Sequence, residues 1–295
     1  MTGERVWSSV IRAFSLAATV AFGSLSAQAQ TPDHMAAVKH RDELRVCIWP
    51  EYFAITWRNP RSGELSGIDI DMAQAFARRL GVTLRFVETN FRDFMDRLEQ
   101  DACDVAMFGV GITPQREARV AFARPTLSSP VYGVTTRNNH HVAKWEDIDK
   151  PGNVVAVAAG TFMEPLMRQS LRNATLMSVA PPQTREAELE SGRADVFMSD
   201  FPYTRRLVGT QEWVRIIDPP AGFGATSYAY AVAKGDPKWL AEVDAFVVAA
   251  RADGTLAKAA EKNGLTPILV RCTHFARQAA ISAVASAAGI GRARR

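Results

Sequence analysis

The chain has 295 residues, of which 47% are hydrophobic and 22% are charged, with 19 glycines and 15 prolines. This composition is typical of a globular protein and excludes a disordered, collagen-like or small disulfide-scaffold protein. The length accommodates one large domain or two domains of ~100–150 residues, each able to bury a core of its own.

The net charge of +4 comes from the two ends of the chain. Residues 271–295 contain five arginines and no acid, and residues 1–29 carry one excess positive charge, so the stretch between them has a net charge of −2. No basic stripe with interleaved aromatic residues marks a nucleic-acid face, and a nucleic-acid partner is not expected.

The first 29 residues have the pattern of a secretory signal. Arg5 and Arg12 precede an apolar run, Phe14 to Ala27, that is too short to cross a membrane comfortably, and the Ala-Gln-Ala sequence at 27–29 is a cleavage site. We predict cleavage near Ala29, with an uncleaved anchor helix as the alternative. No cysteine follows the apolar run, so no lipid anchor is expected, and the mature protein should be soluble in the bacterial periplasm.

The exported compartment permits disulfides, and the chain has three cysteines, Cys47, Cys103 and Cys272. Because three is odd, at least one stays free or pairs between chains. Cys47 and Cys103 lie in strands predicted to be neighbours, which makes them the best candidate pair. The alternative is that strand register holds their Cα atoms beyond the ~7 Å limit. Neither the cysteines nor the histidines have zinc-site spacing, so no metal and no cofactor are predicted.

Strands and helices alternate in the first half of the chain. The predicted elements are a strand at 44–49, an amphipathic helix at 69–80 ended by Gly81, a strand at 82–88, a helix at 92–100 and a strand at 103–109. Such alternation predicts an α/β fold, with a parallel sheet and helices on its faces.

The second half repeats this pattern. Strands are predicted at 154–158 and 175–179, helices at 161–171 and 184–191, and a final strand at 194–200. The last strand, Ala-Asp-Val-Phe-Met-Ser-Asp, resembles Cys-Asp-Val-Ala-Met-Phe-Gly at 103–109. If this short repeat is not a coincidence, the protein has two similar lobes, with Gly109 and Asp200 at equivalent strand tips.

Two extended stretches could connect such lobes. Residues 131–137 and 226–233 fit two crossing strands of a hinge, and helices at 237–252 and 255–263 would then return to the first lobe. We therefore predict a first lobe from 40–131 plus 227–270, a second lobe from 132–226, and a tail at 271–295 of unknown role.

Ligands of open parallel sheets bind beyond the carboxyl ends of the strands. Thr113 suits a helix N-cap and Pro114 the first helical position, which places Arg116 in a helical first turn, where it could hold a carboxylate. The alternative is a solvated arginine. Asp200 could accept hydrogen bonds from a ligand ammonium or only cap a helix. Thr161 and Glu164 form a capping-box pattern that could also leave free amides for an anion.

Three aromatic residues, Trp49, Tyr52 and Phe91, follow strands and should overlook the same cleft. They could enclose the apolar part of a small ligand, or they could be ordinary core residues.

As an ordered set, the motifs resemble those of the periplasmic solute-binding proteins of ABC importers, in the family that captures polar amino acids. The segments that carry the resemblance are Leu44-Arg-Val, Gly67-Ile-Asp-Ile-Asp, Asp104 to Gly109, Gly111-Ile-Thr-Pro-Gln-Arg, Gly160-Thr and Ala194 to Asp200. The resemblance covers about residues 40–265. It implies a two-lobed, type II binding-protein fold that closes on its ligand.

The resemblance also implies roles for particular residues. Arg116 would hold a ligand α-carboxylate, Asp200 would bind an α-amino group, Thr161 would add an amide or hydroxyl, and Gly109 would offer backbone groups. Together with the aromatic residues and the second glycine of the turn, the predicted ligand contacts are Arg116, Asp200, Thr161, Gly109, Gly111, Tyr52, Phe91 and Trp49.

The chain departs from the family pattern at Trp49, where many relatives have an acid, at Gly111, where many have Ser or Thr, and at Phe162, where the residue is often small. The site is therefore expected to be rich in rings and short of polar side chains. An apolar or aromatic amino acid, a carboxylate without an amine, and Gln, Glu or His all remain open as ligands.

The leading hypothesis is a monomeric binding protein without catalysis, whose closed form is recognised by an inner-membrane ABC permease. One alternative is a periplasmic sensor or accessory protein that reports to a receptor or dehydrogenase. Another is an enzyme that resembles cyclohexadienyl dehydratases, which need a general acid in the cleft. Glu164 is the nearest candidate, but in the dehydratases the acid follows the Gly-Thr pair one residue earlier, where this chain has Met163.

Overall fold

The computed structural model describes residues 33–270. The predicted signal at 1–29, Cys272 and the tail at 271–295 lie outside these residues. Within residues 33–270, no helix combines the length and apolar character that crossing a membrane requires.

The described chain alternates strands and helices from end to end. Up to residue 130 the elements are α1 (His34–Arg41), β1 (Glu43–Ile48), β2 (Glu51–Tyr52), β3 (Thr56–Arg58), β4 (Leu65–Ser66), α2 (Ile68–Leu80), β5 (Thr83–Glu88), α3 (Phe94–Glu99), β6 (Val105–Ala106), α4 (Pro114–Glu117), β7 (Val120–Phe122) and β8 (Leu127–Ser129). They continue with β9 (Val131–Thr136), α5 (Trp145–Ile148), β10 (Val154–Ala158), α6 (Met163–Ser170), β11 (Thr175–Val179), α7 (Arg185–Glu190), β12 (Val196–Asp200), α8 (Phe201–Thr210), β13 (Val214–Ile217), β14 (Thr226–Tyr228), β15 (Ala231–Ala233), α9 (Pro237–Ala252), α10 (Thr255–Lys262) and a short 3₁₀ helix, Thr266–Ile268.

Two five-stranded sheets with corresponding strand orders define two lobes. The sheet of the first lobe has the order β5-β1-β6-β15-β7, and that of the second has the order β11-β10-β12-β9-β13. In each, three parallel strands are followed by two that pair in antiparallel fashion. This correspondence confirms the repeat predicted from the sequence.

The aspartates of the repeat have the same structural role in both lobes. The Asp104 carboxylate accepts the backbone N–H of Arg45 at the start of β1, at 2.7 Å. The Asp195 carboxylate likewise accepts the backbone N–H of Val154 at the start of β10, also at 2.7 Å. Each aspartate fixes the register of a central strand pair, so the two strand tips that follow are held in equivalent positions.

Cys47 and Cys103 form a disulfide, with their Cα atoms 5.6 Å apart. Strands β1 and β6 are parallel neighbours, and Val46 is opposite Val105, so the register brings the two cysteines within bonding distance. The predicted pairing is confirmed, and the alternative in which register separates the cysteines is wrong.

A two-stranded ribbon, in which Leu127–Ser129 of β8 pairs with Thr226–Tyr228 of β14, lies between the two sheets in the chain path. The crossing strands differ from the stretches predicted for the hinge, because Leu127–Ser129 precedes the predicted stretch 131–137 and Thr226–Tyr228 is only the first part of 226–233. Residues 131–136 form an inner strand of the second sheet, and residues 231–233 form a strand of the first. Both stretches are extended because each runs directly from the ribbon into a sheet. The exact division of the chain into domains stays a prediction.

Candidate ligand-binding site

The carboxyl ends of the central strands of both sheets meet at one small cavity of about 30 Å³. Space of this size holds about one or two water molecules. Six of the predicted ligand contacts line it: Trp49, Tyr52, Phe91 and Gly109 from the first lobe, and Thr161 and Asp200 from the second.

Two larger recesses of about 470 Å³ and 560 Å³ flank the small cavity. Phe91 and Thr161 border all three spaces, which together are called the crevice here. Each of the two recesses is within the range of ~300–1,000 Å³ typical of small-molecule sites.

Arg116 is buried at the edge of the crevice, where it joins the two lobes. Thr113 accepts the backbone N–H of Arg116 and Pro114 begins the helix, so the predicted N-terminal turn is confirmed. The guanidinium donates to the carbonyl of Gly111 in its own lobe at 2.8 Å and to that of Gly160 in the second lobe at 3.0 Å. Burial lowers the pKa of Arg116 to about 10, so the group is still a cation at neutral pH.

Two phenylalanine rings pack on the Arg116 guanidinium, with centroids 5.4 Å (Phe91) and 5.5 Å (Phe94) away. No acidic side chain of residues 33–270 lies within 4.0 Å of it. The cation is therefore rigidly placed and its charge is not neutralised by the protein, which suits it to bind an anion.

Asp200 is fully buried at the tip of β12 and is surrounded by tyrosines. The Tyr228 hydroxyl donates to its carboxylate at 2.7 Å, the Tyr52 hydroxyl donates to the same oxygen, and the backbone N–H of Tyr203 donates to the other at 3.3 Å. Asp200 thus caps α8, as one of the two sequence interpretations predicted. Burial raises its pKa, although the hydrogen bonds from the tyrosine hydroxyls act in the opposite direction.

Gly109 occupies the equivalent tip in the first lobe. Its φ of +63° is in the left-handed region, and a Cβ there would lie 2.9 Å from the ring of Tyr52. The backbone N–H of Gly109 donates to the Asp69 carboxylate at 2.8 Å, and the Tyr230 hydroxyl donates to the same carboxylate at 3.2 Å. Asp69 is therefore a positioning residue for this part of the crevice.

We expect Asp69 to make stability depend on pH. Burial raises its pKa from 3.8 to about 7. Because the native state then holds a proton that the unfolded state releases, the free energy of unfolding should fall as pH rises from about 4 to about 7, by at most about 1.4 kcal/mol per pH unit. In Asp69→Asn this fall should largely disappear, and urea denaturation at pH 4.5 and pH 7.5 measures it.

Asp71→Asn is a matched control for this experiment, since Asp71 is on the same helix but partly exposed and paired with Lys262. Equal pH dependence in the parent and in Asp69→Asn would contradict the assignment.

Neither hydrogen bond of the predicted capping box between Thr161 and Glu164 is formed. Helix α6 begins at Met163, and the Thr161 hydroxyl donates to the Ala158 carbonyl at 2.7 Å instead of capping the helix. The Glu164 carboxylate accepts the backbone N–H of Gly160 at 3.0 Å and pairs with Arg168 at 3.1 Å. Burial opposes ionisation of Glu164, but these hydrogen bonds prevail and lower its pKa.

The aromatic residues predicted for the cleft form one cluster. The ring of Trp49 lies 5.3 Å from that of Phe91 and 5.7 Å from that of Tyr52. Gly111, also a predicted ligand contact, is not among the residues that line the crevice, and a Cβ there would come within 3.1 Å of the Phe162 ring. The glycine therefore makes room for the phenylalanine, and these two departures from the family pattern are coupled by packing.

The sequence did not predict several polar residues at the site. Arg185 and Ser199 line the small cavity and contribute a guanidinium and a hydroxyl, and Tyr228, from the ribbon, donates its hydroxyl to Asp200. The sequence did contain an indication for Arg185, because a helix was predicted to begin at Thr184. Thr184 is the N-cap of α7, so Arg185 is the first residue of that helix.

Two similar α/β lobes, a connecting ribbon and a crevice between their strand ends define a two-lobed, type II periplasmic binding protein. Residues 44–266 match the bacterial extracellular solute-binding proteins, family 3, and the chain belongs to that family.

Similar proteins include both a catalyst and binding proteins. The chain is 27% identical over 248 residues to a cyclohexadienyl dehydratase of Pseudomonas aeruginosa, covering 84% of this chain and 91% of that protein. It is 26% identical over 225 residues to the L-cystine-binding protein TcyJ of Escherichia coli strain K12, covering 76% and 84%. A solved ancestral amino acid-binding protein, a precursor of cyclohexadienyl dehydratase, has 30% identity and a TM-score of 0.70, covering 78% of this chain and 99% of that one.

Proposed function

We propose that this protein is the periplasmic substrate-binding component of an ABC importer and captures an amino acid or a similar small carboxylate between its lobes. The observation that carries the proposal is the placement of Arg116 and Asp200. Both are buried, they come from different lobes, and each is hydrogen-bonded across the crevice, Arg116 to Gly160 and Asp200 to Tyr52.

Capture works by a shift between open and closed forms. A ligand that contacts both lobes gains its full set of interactions only in the closed form, so it shifts the population toward closure. The closed form is then recognised by an inner-membrane permease, and the binding protein acts as a monomer.

The experiment is a thermal-shift screen of amino acids and small carboxylates against protein that has been unfolded, dialysed and refolded to remove carried-over ligand. A ligand at 100 times its dissociation constant stabilises the native state by about 2.7 kcal/mol, which is readily detected. Absence of any stabilising amino acid or carboxylate would contradict the proposal.

Catalysis is the second candidate, favoured by the similarity to the dehydratase of Pseudomonas aeruginosa. A dehydratase needs a group that can donate a proton, and because its pKa is lowered, Glu164 is ionised at neutral pH and holds no proton to donate. Met163, at the position that the family's acid would take, carries no proton to donate. We therefore propose binding without turnover. Consumption of prephenate or arogenate by the purified protein, lost in Glu164→Gln, would overturn that choice.

Replacement of Asp200 by asparagine tests the amino-group assignment. If Asp200 binds a ligand ammonium, Asp200→Asn should lose the preference for ligands with a free α-amine over their des-amino counterparts, because the charge that attracts the amine is removed. Calorimetry with an amino acid and its des-amino acid measures this preference. If the parent protein already binds the amino acid and its des-amino counterpart with equal affinity, Asp200 does not bind an amine and only accepts hydrogen bonds from the tyrosines and caps α8.

A further inference from the structure

The crevice holds more positive charge than its acids can neutralise. Six arginines line it: Arg92, Arg116, Arg119, Arg168, Arg185 and Arg206. Arg119 and Arg168 pair with carboxylates. Within residues 33–270, the other four have no carboxylate closer than 4.0 Å, although this part of the chain carries a net charge of −2. The crevice is thus lined by four arginines without a carboxylate partner, which favours anionic ligands.

Arg185 is held in place by the second lobe. Its guanidinium donates to the Met198 carbonyl at 2.7 Å and lies over the rings of Phe197 and Tyr203, 5.1 Å and 5.0 Å from their centroids. The group lines both the small cavity and the 560 Å³ recess. Glu51 and Glu186 are the acids that line the same recess, and neither is paired with Arg185.

Ser199 lies beside Arg185 on the wall of the small cavity. Its side chain is 1% exposed, and among the described residues its hydroxyl has no hydrogen-bond partner. Buried hydroxyls are normally hydrogen-bonded. A buried donor without a protein partner, on a cavity wall and next to a guanidinium, is an arrangement suited to a ligand oxyanion.

Arg116 and Arg185 line different spaces of the crevice. Arg116 lines the 470 Å³ recess, and Arg185 lines the small cavity and the 560 Å³ recess. The crevice therefore has guanidinium groups in different parts of it, with Phe91 and Thr161 bordering both. Asp200 is close enough to Arg185 for the guanidinium to lower its pKa, but the two groups form no ion pair within 4.0 Å, and the Asp200 carboxylate accepts its hydrogen bonds from Tyr52, Tyr203 and Tyr228 instead.

We infer that the ligand is a dicarboxylate, with one carboxylate bound by Arg116 and the other by Arg185 and the Ser199 hydroxyl. This inference rests on the proposed function and specifies its ligand class. Arg185 and Ser199 are then the residues that determine specificity for the second carboxylate.

The test uses probe pairs that differ only in one carboxylate or amide: L-aspartate and L-asparagine, L-glutamate and L-glutamine, and succinate and succinamate. Calorimetry with refolded, ligand-free protein should show at least one dicarboxylate binding about tenfold or more tighter than its amide. Arg185→Gln should remove most of this preference, and Ser199→Ala should reduce it several-fold. Arg205→Gln, an exposed arginine outside the crevice, should leave it unchanged.

The possible failures are distinguishable. If amides or other monocarboxylates bind as tightly as dicarboxylates, the inference is wrong while the proposed function stands. If a dicarboxylate preference exists but survives in Arg185→Gln, the assignment to Arg185 is wrong. If no amino acid or carboxylate binds at all, the proposed function fails, and the inference fails with it.

Discussion

Replacement of Arg116 by alanine is expected to abolish tight ligand binding. Arg116 is 4% exposed and has no acidic partner among the described residues, so a bound carboxylate would rely on its guanidinium for charge. Removal of one partner of a buried ion pair typically costs about 3–5 kcal/mol, because the other charge stays buried and unpaired. The expected loss in affinity is therefore about a hundredfold to a thousandfold or more, measured by calorimetry with a ligand identified by the thermal-shift screen.

Two further variants sharpen this experiment. Arg116→Lys keeps the charge but cannot make the hydrogen bonds to Gly111 and Gly160 while holding a carboxylate with two parallel bonds, so its affinity should be intermediate. Arg124→Ala removes an exposed arginine outside the crevice that is paired with Asp244, and it should bind like the parent. Unchanged affinity in a correctly folded Arg116→Ala protein would refute the assignment.

Loss of the Cys47–Cys103 disulfide should produce the largest change in stability. The bond closes a segment with a sequence separation of 56 residues. In the chain-entropy account, a loop of this length stabilises the native state by about 4 kcal/mol, because it restricts the unfolded chain. The double variant Cys47→Ala, Cys103→Ala should show this loss in urea denaturation under oxidising conditions.

Reduction provides the control for that measurement. A thiol reductant should lower the free energy of unfolding of the parent toward that of the double variant, and it should leave the double variant itself nearly unchanged. A difference below about 1 kcal/mol between parent and variant would indicate that the bond adds little beyond the packing of its two buried half-cystines.

The elements that the sequence predicted correctly are those with strong local signals. Helix α2 ends before Gly81, which adopts the left-handed conformation, and α9 spans 237–252 as predicted. Strands at 154–158 and 175–179 also have the predicted bounds. In each of these elements, the spacing of apolar residues and the residues at the ends of the element predict the same bounds that burial in the fold produces.

The site was predictable where it depends on strand ends. Trp49, Tyr52, Phe91 and Asp200 all follow or end strands, and the parallel sheet brings such positions to one edge. The strand predicted at 103–109 was too long, since the ladder pairing is confined to Val105 and Ala106 and Gly109 turns the chain away. The left-handed turn at Gly109 depends on Asp69, 40 residues away, and no local pattern encodes that contact.

Long-range contacts explain the remaining omissions. Arg185 and Ser199 reach the crevice only because α7 and β12 pack side by side, and Tyr228 reaches Asp200 only because of how the ribbon joins the sheets. The capping-box prediction for Thr161 and Glu164 was wrong for a related reason, although Thr161 does line the crevice. The Thr161 hydroxyl donates to the Ala158 carbonyl and therefore does not accept the backbone N–H of Glu164, which is the bond that the capping pattern predicted.

The place of Tyr228 in the ribbon has a mechanical consequence for closure. A residue near a rotation axis moves little when the bodies on either side swing apart, whereas Tyr52 travels with the first lobe. Opening would therefore break the Tyr52–Asp200 contact and leave the Tyr228–Asp200 contact in place. Asp200 would keep its hydrogen bonds from Tyr228 and from the Tyr203 N–H and lose only the one from Tyr52, so opening would free one of its three acceptor contacts for an arriving ligand.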